Sequence, residues 1–316
     1  MNWKKIRKYL PILGVGLFIY LLIKLDITKI FQEIKNLNFS YLFIVVILLG
    51  IFFITQTLKW FMLAREQKIN IPFKDAFKIN IISDFYGFVT PSKIGSIMRV
   101  DYLKKYKADT GKGLSNFVID KILDLSSLFV LTIGFSFIFY REIIFSIVSP
   151  IYQFIIIAFF LLMILLCLLF YKKEISKPIA KTIYRLFIPK RLKEKSKILF
   201  NSFYEDMPPL LFLGFVFIIN LINWIVNYVM IYFIGLSLGI NIGFIPYLII
   251  LPISTLVAQI PITINGLGTR EITMINLFGL FGVDKVKVFS MSIMGIIISS
   301  IIPAIIAIIF ICQKEK

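Results

Sequence analysis

The chain has 316 residues, 59% of them hydrophobic, and a formal net charge of +18 with a mean hydropathy of +0.91. No water-soluble domain of this length carries so apolar a composition, and the period-two alternation of an outer-membrane barrel is absent, so the expected fold is an all-α polytopic membrane protein. Histidine is missing altogether, which removes Ser-His and Cys-His nucleophilic schemes, histidine-ligated zinc and the histidine-dependent membrane hydrolases; neither enzymatic activity nor a cofactor is expected.

In chain order, basic Met1–Lys8 precedes the apolar run Tyr9–Ile23. The pattern is that of a signal peptide, but no small-residue cleavage site precedes Lys24, so an uncleaved first helix is expected. Lys24–Ser40 is expected to hold an interfacial helix on the outer face, and Tyr41–Leu63 returns across the bilayer. Ile79–Met98 then lies between Lys59–Lys78 and Arg99–Gly113, two basic stretches assigned to the cytoplasm. A segment that starts and ends on one side must dip in and turn back. The turn is expected at Thr90-Pro91-Ser92, because Pro91 lacks a backbone donor and disfavours helix at Thr90.

Leu114–Tyr140 leads out and Pro150–Tyr171 returns, followed by Lys172–Met207, a connection with ten basic and four acidic residues and room for interfacial helices such as Ile175–Leu186. Pro209–Ile234 leads out and Val286–Cys312 returns. Between them Phe244–Gly282 enters and leaves on one face, interrupted by Pro252, Pro261, Gly266 and Gly268. Irregular backbone at that depth is tolerated only where protein or a cavity surrounds it. The expected organisation is one transmembrane domain over residues 1–316. A first half, 1–171, contains the broken segment 79–98; a basic cytoplasmic connection spans 172–207; a second half, 208–316, contains the broken segment 244–282. That makes about six full spans plus two re-entrant helix pairs, or eight spans if each pair is scored as one.

The basic stretches assigned to the cytoplasm hold 26 of the 35 Lys and Arg, and the intervening connections hold 6. That asymmetry places both termini in the cytoplasm and points to the cytoplasmic membrane. The surplus charge therefore reports orientation and attraction to an anionic lipid surface, and no nucleic-acid partner is expected. Cys167 and Cys312 sit in apolar runs, as inert packing residues do. An offset of 173 residues superposes Thr90 on Thr263, Ile94 on Leu267, Gly95 on Gly268 and Ser96 on Thr269, which suggests an inverted repeat.

Seven ionisable residues fall inside the membrane segments: Asp84, Lys93, Asp120, Lys121, Asp124, Arg270 and Glu271. Charge at bilayer depth faces a cavity or a partner. Two readings stay open, buried pairs that hold helices in register and a polar cavity for a charged head group. Asp120 and Asp124, four apart, share a helix face, suited to holding Arg270, Lys93 or Lys121 or a coupling ion. Asn265-Gly266-Leu267-Gly268-Thr269-Arg270-Glu271 lacks the Lys-Ser/Thr ending of a P-loop, and no ATP coupling is expected. Its glycines either permit close packing or free N–H groups at a half-helix start, where Arg270 beside them suits a lipid phosphate. Lys93 and Arg99 mirror this at the first break.

At these residues the chain resembles the transmembrane-domain family of lysylphosphatidylglycerol synthases, the flippase-like integral membrane proteins. The family pattern of Pro-Gly/Ser-Arg/Lys-hydrophobic-Gly is matched by Pro91-Ser92-Lys93-Ile94-Gly95-Ser96, followed by Arg99. Its Glu-Arg-x-x-Asp helix is matched by Asp120-Lys121-Ile122-Leu123-Asp124, and Pro-x-x-x-Gly-x-Gly-x-Arg-Glu by Pro261 to Glu271. Ser96 stands where the family often carries Glu, and Lys121 lacks the bidentate fork of Arg. No aminoacyl-transferase domain is expected after Lys316. The resemblance implies a lipid transporter for an anionic or isoprenoid-phosphate head group.

The expected substrate contacts are Thr90, Pro91, Lys93, Gly95, Arg99, Asn265, Gly266, Gly268, Arg270 and Glu271, with Asp84, Asp120, Lys121 and Asp124 as counter-ions or coupling-ion site. A phospholipid or polyprenyl-phosphate lipid is the expected partner, and a second copy of the chain or a pathway protein stays open. Two alternatives remain: a non-catalytic subunit or transferase component of a lipid-linked glycan or lipid-modification pathway, and a scaffold.

Overall fold

The structure, a computed structural model, describes residues 18–90, 93–147, 173–174, 177–178, 193–260, 263 and 265–312. Among these residues the secondary structure is helical throughout, with no strand. The expectations for Pro150–Tyr171, for a helix over Ile175–Leu186, for the first half of Tyr9–Ile23, and for Pro91, Cys167 and Pro261 lie outside the described residues.

Helix α1 (Ile27–Lys35) is capped by Asp26, whose carboxylate accepts the Thr28 N–H at 3.0 Å. It stands where the interfacial helix was expected. Among the described residues, three helical stretches of 28 residues are long and apolar enough to cross a membrane: α2 (Phe39–Glu66), α7 (Leu210–Ser237) and Lys285–Cys312. At about 1.5 Å rise per residue each exceeds the ~30 Å hydrocarbon layer. Their polarity is inverted relative to a soluble helix. Phe43, Ile47, Ile51 and Ile54 of α2 are exposed, at helical spacing, while Thr57, Lys59 and Trp60 are buried.

The first broken segment begins with α3 (Phe73–Phe88), six residues earlier than the apolar run at Ile79. A 3-10 turn (Ile94–Met98) and short α4 (Arg99–Leu103) follow. Lys93 takes a left-handed φ of 54°. Thr90 ties the limbs together: its hydroxyl donates to the Tyr86 carbonyl at 2.9 Å and accepts the Gly95 N–H at 2.7 Å. A Cβ on Gly95 would run into the Tyr86 carbonyl oxygen, so only glycine fits this approach.

Helix α5 (Thr110–Ile147) runs 38 residues without interruption. The helix runs seven residues beyond Tyr140, since Arg141–Ile147 contains neither proline nor glycine. Helix α6 (Lys193–Tyr204) lies in the basic connection and packs on α5.

The second broken segment comprises α8 (Phe244–Gln259) and α9 (Thr269–Gly279). Positive φ at Asn265 (48°), Gly266 (75°) and Gly268 (83°) reverses the chain between them. The last span is α10 (Lys285–Ile296), a π turn (Ile297–Ile301) and α11 (Ile302–Cys312). The wide turn ends two residues before Pro303, which cannot donate into a regular α ladder.

Phe39 and Leu210 open 28-residue helices and stand 171 residues apart; Phe73 and Phe244 open 16-residue helices at the same separation. Packing is reciprocal as well: α5 lies on α8, α11 lies on α3, and α2 lies along α7 in the most extensive helix contact described. Matching lengths at one offset are the pattern two repeats produce. The main apolar core gathers Tyr228, Tyr247, Phe278 and Phe289 from α7 to α10.

Candidate functional site

The largest buried charge cluster joins α2, α4 and α5. Asp120 on α5 receives Lys59 Nζ at 2.9 Å on one carboxylate oxygen and Arg99 Nη1 at 2.7 Å on the other. All three side chains are at most 4% exposed. Lys59 also reaches Asp124 at 2.7 Å and donates to Asn220 Oδ1 at 3.0 Å. The Arg99 guanidinium lies 5.4 Å from the Trp60 ring and 5.7 Å from Phe117. Its Nε donates to Ser83, whose hydroxyl donates to the Ser96 carbonyl at 2.8 Å, so the charge is braced against both limbs of the first break.

Around this core stand the half-buried charges. Lys121 lies 3.9 Å from Asp124. Asp84 accepts the Gln56 amide at 3.0 Å and is within electrostatic reach of Lys93, Arg99 and Lys121. Among the described residues three buried or half-buried cations (Lys59, Arg99, Lys121) face three carboxylates (Asp84, Asp120, Asp124), and exposed Lys93 adds one positive charge at the rim.

Lys59 was missed. It was counted with the cytoplasmic bases, but it sits seven residues inside the end of α2 and is 2% exposed. Its signal was the polar run Thr55-Gln56-Thr57 just before it in an otherwise apolar helix. The counter-charges of Asp120 are therefore Lys59 and Arg99, and Arg270 does not contact it.

Arg270 forms a second, self-contained site. Its Nη2 meets Glu271 Oε1 at 3.0 Å and Ser292 Oγ at 3.1 Å. Fully buried Glu271 also accepts the Ser292 hydroxyl at 2.7 Å and the Gly268 N–H at 2.5 Å. Of the two readings of these glycines, a free N–H at the helix start does not hold for Gly268. Gly268 is engaged by the carboxylate three residues on, the N3 half of a capping box, because Glu271 is the nearest acceptor to a helix N-terminus cut off from water. Asn265 and Gly266 shape the turn, and a Cβ on Gly266 would overlap Ala258.

Between the two sites runs a ladder that sequence reading also missed. Asn220, Asn223 and Asn227 recur at i, i+3 and i+7 on α7, one helix face. Asn220 accepts from Lys59 and donates to the Leu123 carbonyl and Ser127 at 3.0 and 2.9 Å. Asn223 accepts the Thr55 hydroxyl at 2.6 Å. Asn227 lines a cavity of about 60 Å³ together with Ser254, Thr255, Arg270 and Ser292. Over about 10 Å along the helix, the amides link the cluster at the first break to Arg270 at the second.

The Lysylphosphatidylglycerol synthase TM region family matches residues 10–307, which take in both breaks, the α5 carboxylates and the α7 ladder. The chain belongs to this family. A UPF0104 membrane protein of Pyrococcus horikoshii is 24% identical to it over 98% of both chains. Another UPF0104 membrane protein, of Methanothermobacter thermautotrophicus, is 22% identical over 93% of this chain and 89% of its own. Within this family member the structure brings together Asp84, Lys93, Arg99, Asp120, Lys121 and Asp124. Asn265, Gly266, Gly268, Arg270 and Glu271 form a separate group, Thr90 and Gly95 shape the first turn, and Pro91 lies outside the described residues.

Proposed function

We propose that this family member is a flippase-like transporter of the cytoplasmic membrane, built from two inverted repeats with both termini cytoplasmic. It moves an anionic or isoprenoid-phosphate lipid head group and performs no chemistry on it. The observation that carries this reading is the asparagine ladder joining two charged helix breaks. Buried amides in a lipid-facing protein are costly unless partnered, and a continuous row of them supplies successive donors and acceptors to a polar group in transit.

Lys93, Lys121 and Arg99 supply the excess positive charge that receives the phosphate, and Asp84, Asp120 and Asp124 hold those cations in place or bind a coupling ion. Arg270 receives the head group at the second break, exchanging part of its bond to Glu271 for the phosphate. A cavity of about 60 Å³ holds a few waters and no head group, so passage requires α8 and α9 to move away from α7.

The test is translocation in proteoliposomes carrying labelled anionic and polyprenyl-phosphate lipids. Wild type is expected to exceed empty vesicles. Arg270→Ala and Asp120→Asn, each checked for normal folding, are expected to lose transport. Folded wild type that moves no lipid would overturn unaided transport and turn attention to a partner protein of a lipid-modification pathway.

A further inference from the structure

Away from both charged breaks, a second and larger cavity of about 230 Å³ opens where α3 begins and α11 ends. Asp75, Lys78, Ile79 and Ile82 of α3 line one wall at i, i+3, i+4 and i+7, a single helix face. Tyr102, Lys105 and Tyr106 form the second wall and Phe310 of α11 the third. The wall is graded. Its outer turn is polar and basic; Ile79 and Ile82, one and two turns further along, are buried and apolar.

Two lysines converge here beside one carboxylate, Asp75, so the lining carries one net positive charge. Lys78 Nζ lies 5.7 Å from the Phe310 ring centroid, and Lys105 Nζ lies 6.0 Å from the Tyr106 ring. Neither forms an ion pair among the described residues. Neither acid nearby pairs with these lysines: Asp75 accepts the Tyr106 hydroxyl at 2.7 Å and keeps its own charge, and Asp101 pairs with Lys104 at 2.5 Å. Cations held against aromatic faces, over a cavity whose floor is isoleucine, fit an anion that carries hydrocarbon behind it.

We propose that this cavity binds the phosphate of an anionic glycerophospholipid, with Lys78 and Lys105 on the phosphate and the acyl chains along Ile79, Ile82 and Phe310. The site is distinct from the transport path and stands whether or not the protein moves lipid. It gives the chain a bound lipid at the junction of the first re-entrant helix and the last span, where occupancy bridges α3 to α11.

Native mass spectrometry of the full chain, released from nanodiscs of equal phosphatidylglycerol and phosphatidylcholine, reads this directly. Wild type is expected to retain phosphatidylglycerol preferentially. Lys78→Gln and Lys105→Gln are each expected to reduce that retention about fivefold, and the pair about thirtyfold. Lys78→Arg with Lys105→Arg keeps the charge and is expected to retain lipid, which separates binding from folding. Lys285→Gln with Lys287→Gln, at the start of α10, removes equal charge elsewhere and is expected to change nothing. Equal retention of both lipids, or an equal fall in the α10 variant, would overturn the site. Displacement of the bound lipid by millimolar inorganic phosphate would assign the lysines to a free phosphate and overturn the lipid reading.

Discussion

At the first break the charges facing Arg99 come from other helices, whereas at the second Arg270 and Glu271 answer each other within one turn of α9. The first arrangement makes Asp120 a tertiary link, since its two oxygens join α2 and α4 to α5. The second is local: Glu271 caps its own helix, and only Ser292 reaches it from elsewhere among the described residues. A buried charge thus holds the first half together, while the second half relies on backbone shape at Gly266 and Gly268 and on the apolar packing of Tyr247 and Phe278.

The sharpest way to break this contrast is Asp120→Ala. Removing Asp120 strands buried Arg99 and leaves Lys59 with Asp124 alone, and is expected to cost about 3–5 kcal/mol, read as a fall in thermal midpoint in detergent. Asp124, 24% exposed, shares Lys59 with Asp120, so Asp124→Ala is expected to cost much less. Equal losses would contradict the role given to Asp120.

Next in size is Gly266→Ala, which combines a left-handed backbone with overlap on Ala258. A left-handed L-residue costs about 1–2 kcal/mol and overpacking about 1–3 kcal/mol. Gly95→Ala meets overlap with the Tyr86 carbonyl and the Thr90 hydroxyl but no left-handed backbone and is expected to cost less in the same melting experiment. The reverse order would mean that the first break, too, depends on backbone shape.

Asn223→Leu separates transport from stability. Without Asn223 the single Thr55 hydroxyl proton turns to the Ile51 or Phe52 carbonyl, 2.9 and 3.0 Å away, so the lost bond is expected to cost only about 0.6 kcal/mol. Translocation in vesicles is nevertheless expected to fall at least tenfold, because the ladder loses its middle rung. Unchanged transport would reduce the ladder to a packing device.

The smallest effect belongs to neither break. Asp206, outside the spans, bridges Lys112 at 2.7 Å and Lys68 at 2.5 Å. The hydrogen bond from Lys112, then that from Lys68, holds its pKa below the ordinary 3.8. A lowered carboxylate pKa stabilises the fold fully above the unfolded value, and that contribution fades as pH falls through the lowered folded value. Acid melts of wild type should steepen below about pH 4 relative to Asp206→Asn.

Much of the fold was readable because a bilayer imposes simple rules. Apolar runs of about 20 residues mark spans, and proline or paired glycines inside such runs mark breaks. The two helix breaks follow from Thr90-Pro91 and from Gly266-Leu267-Gly268, where local chemistry forbids a continuous helix. The charged residues at the breaks were readable too, because their cost at depth makes them conspicuous. Lys59 was not, since a lysine near a helix end is equally a snorkelling residue. The asparagines of α7 were hidden in a helix whose mean composition is strongly apolar, although their i, i+3, i+7 spacing was there to be seen.

Composition and local backbone chemistry determined by themselves that this is a helical membrane protein with two interrupted segments and ionisable groups at each. Only the tertiary structure decided which charge meets which. Asp120 was compatible with Arg270, Lys93 or Lys121, and it is the packing of α2 and α4 on α5 that gives it Lys59 and Arg99 instead. Pairing between distant residues depends on how helices cross and rotate, and that follows from contacts spread along whole elements, which no single motif encodes.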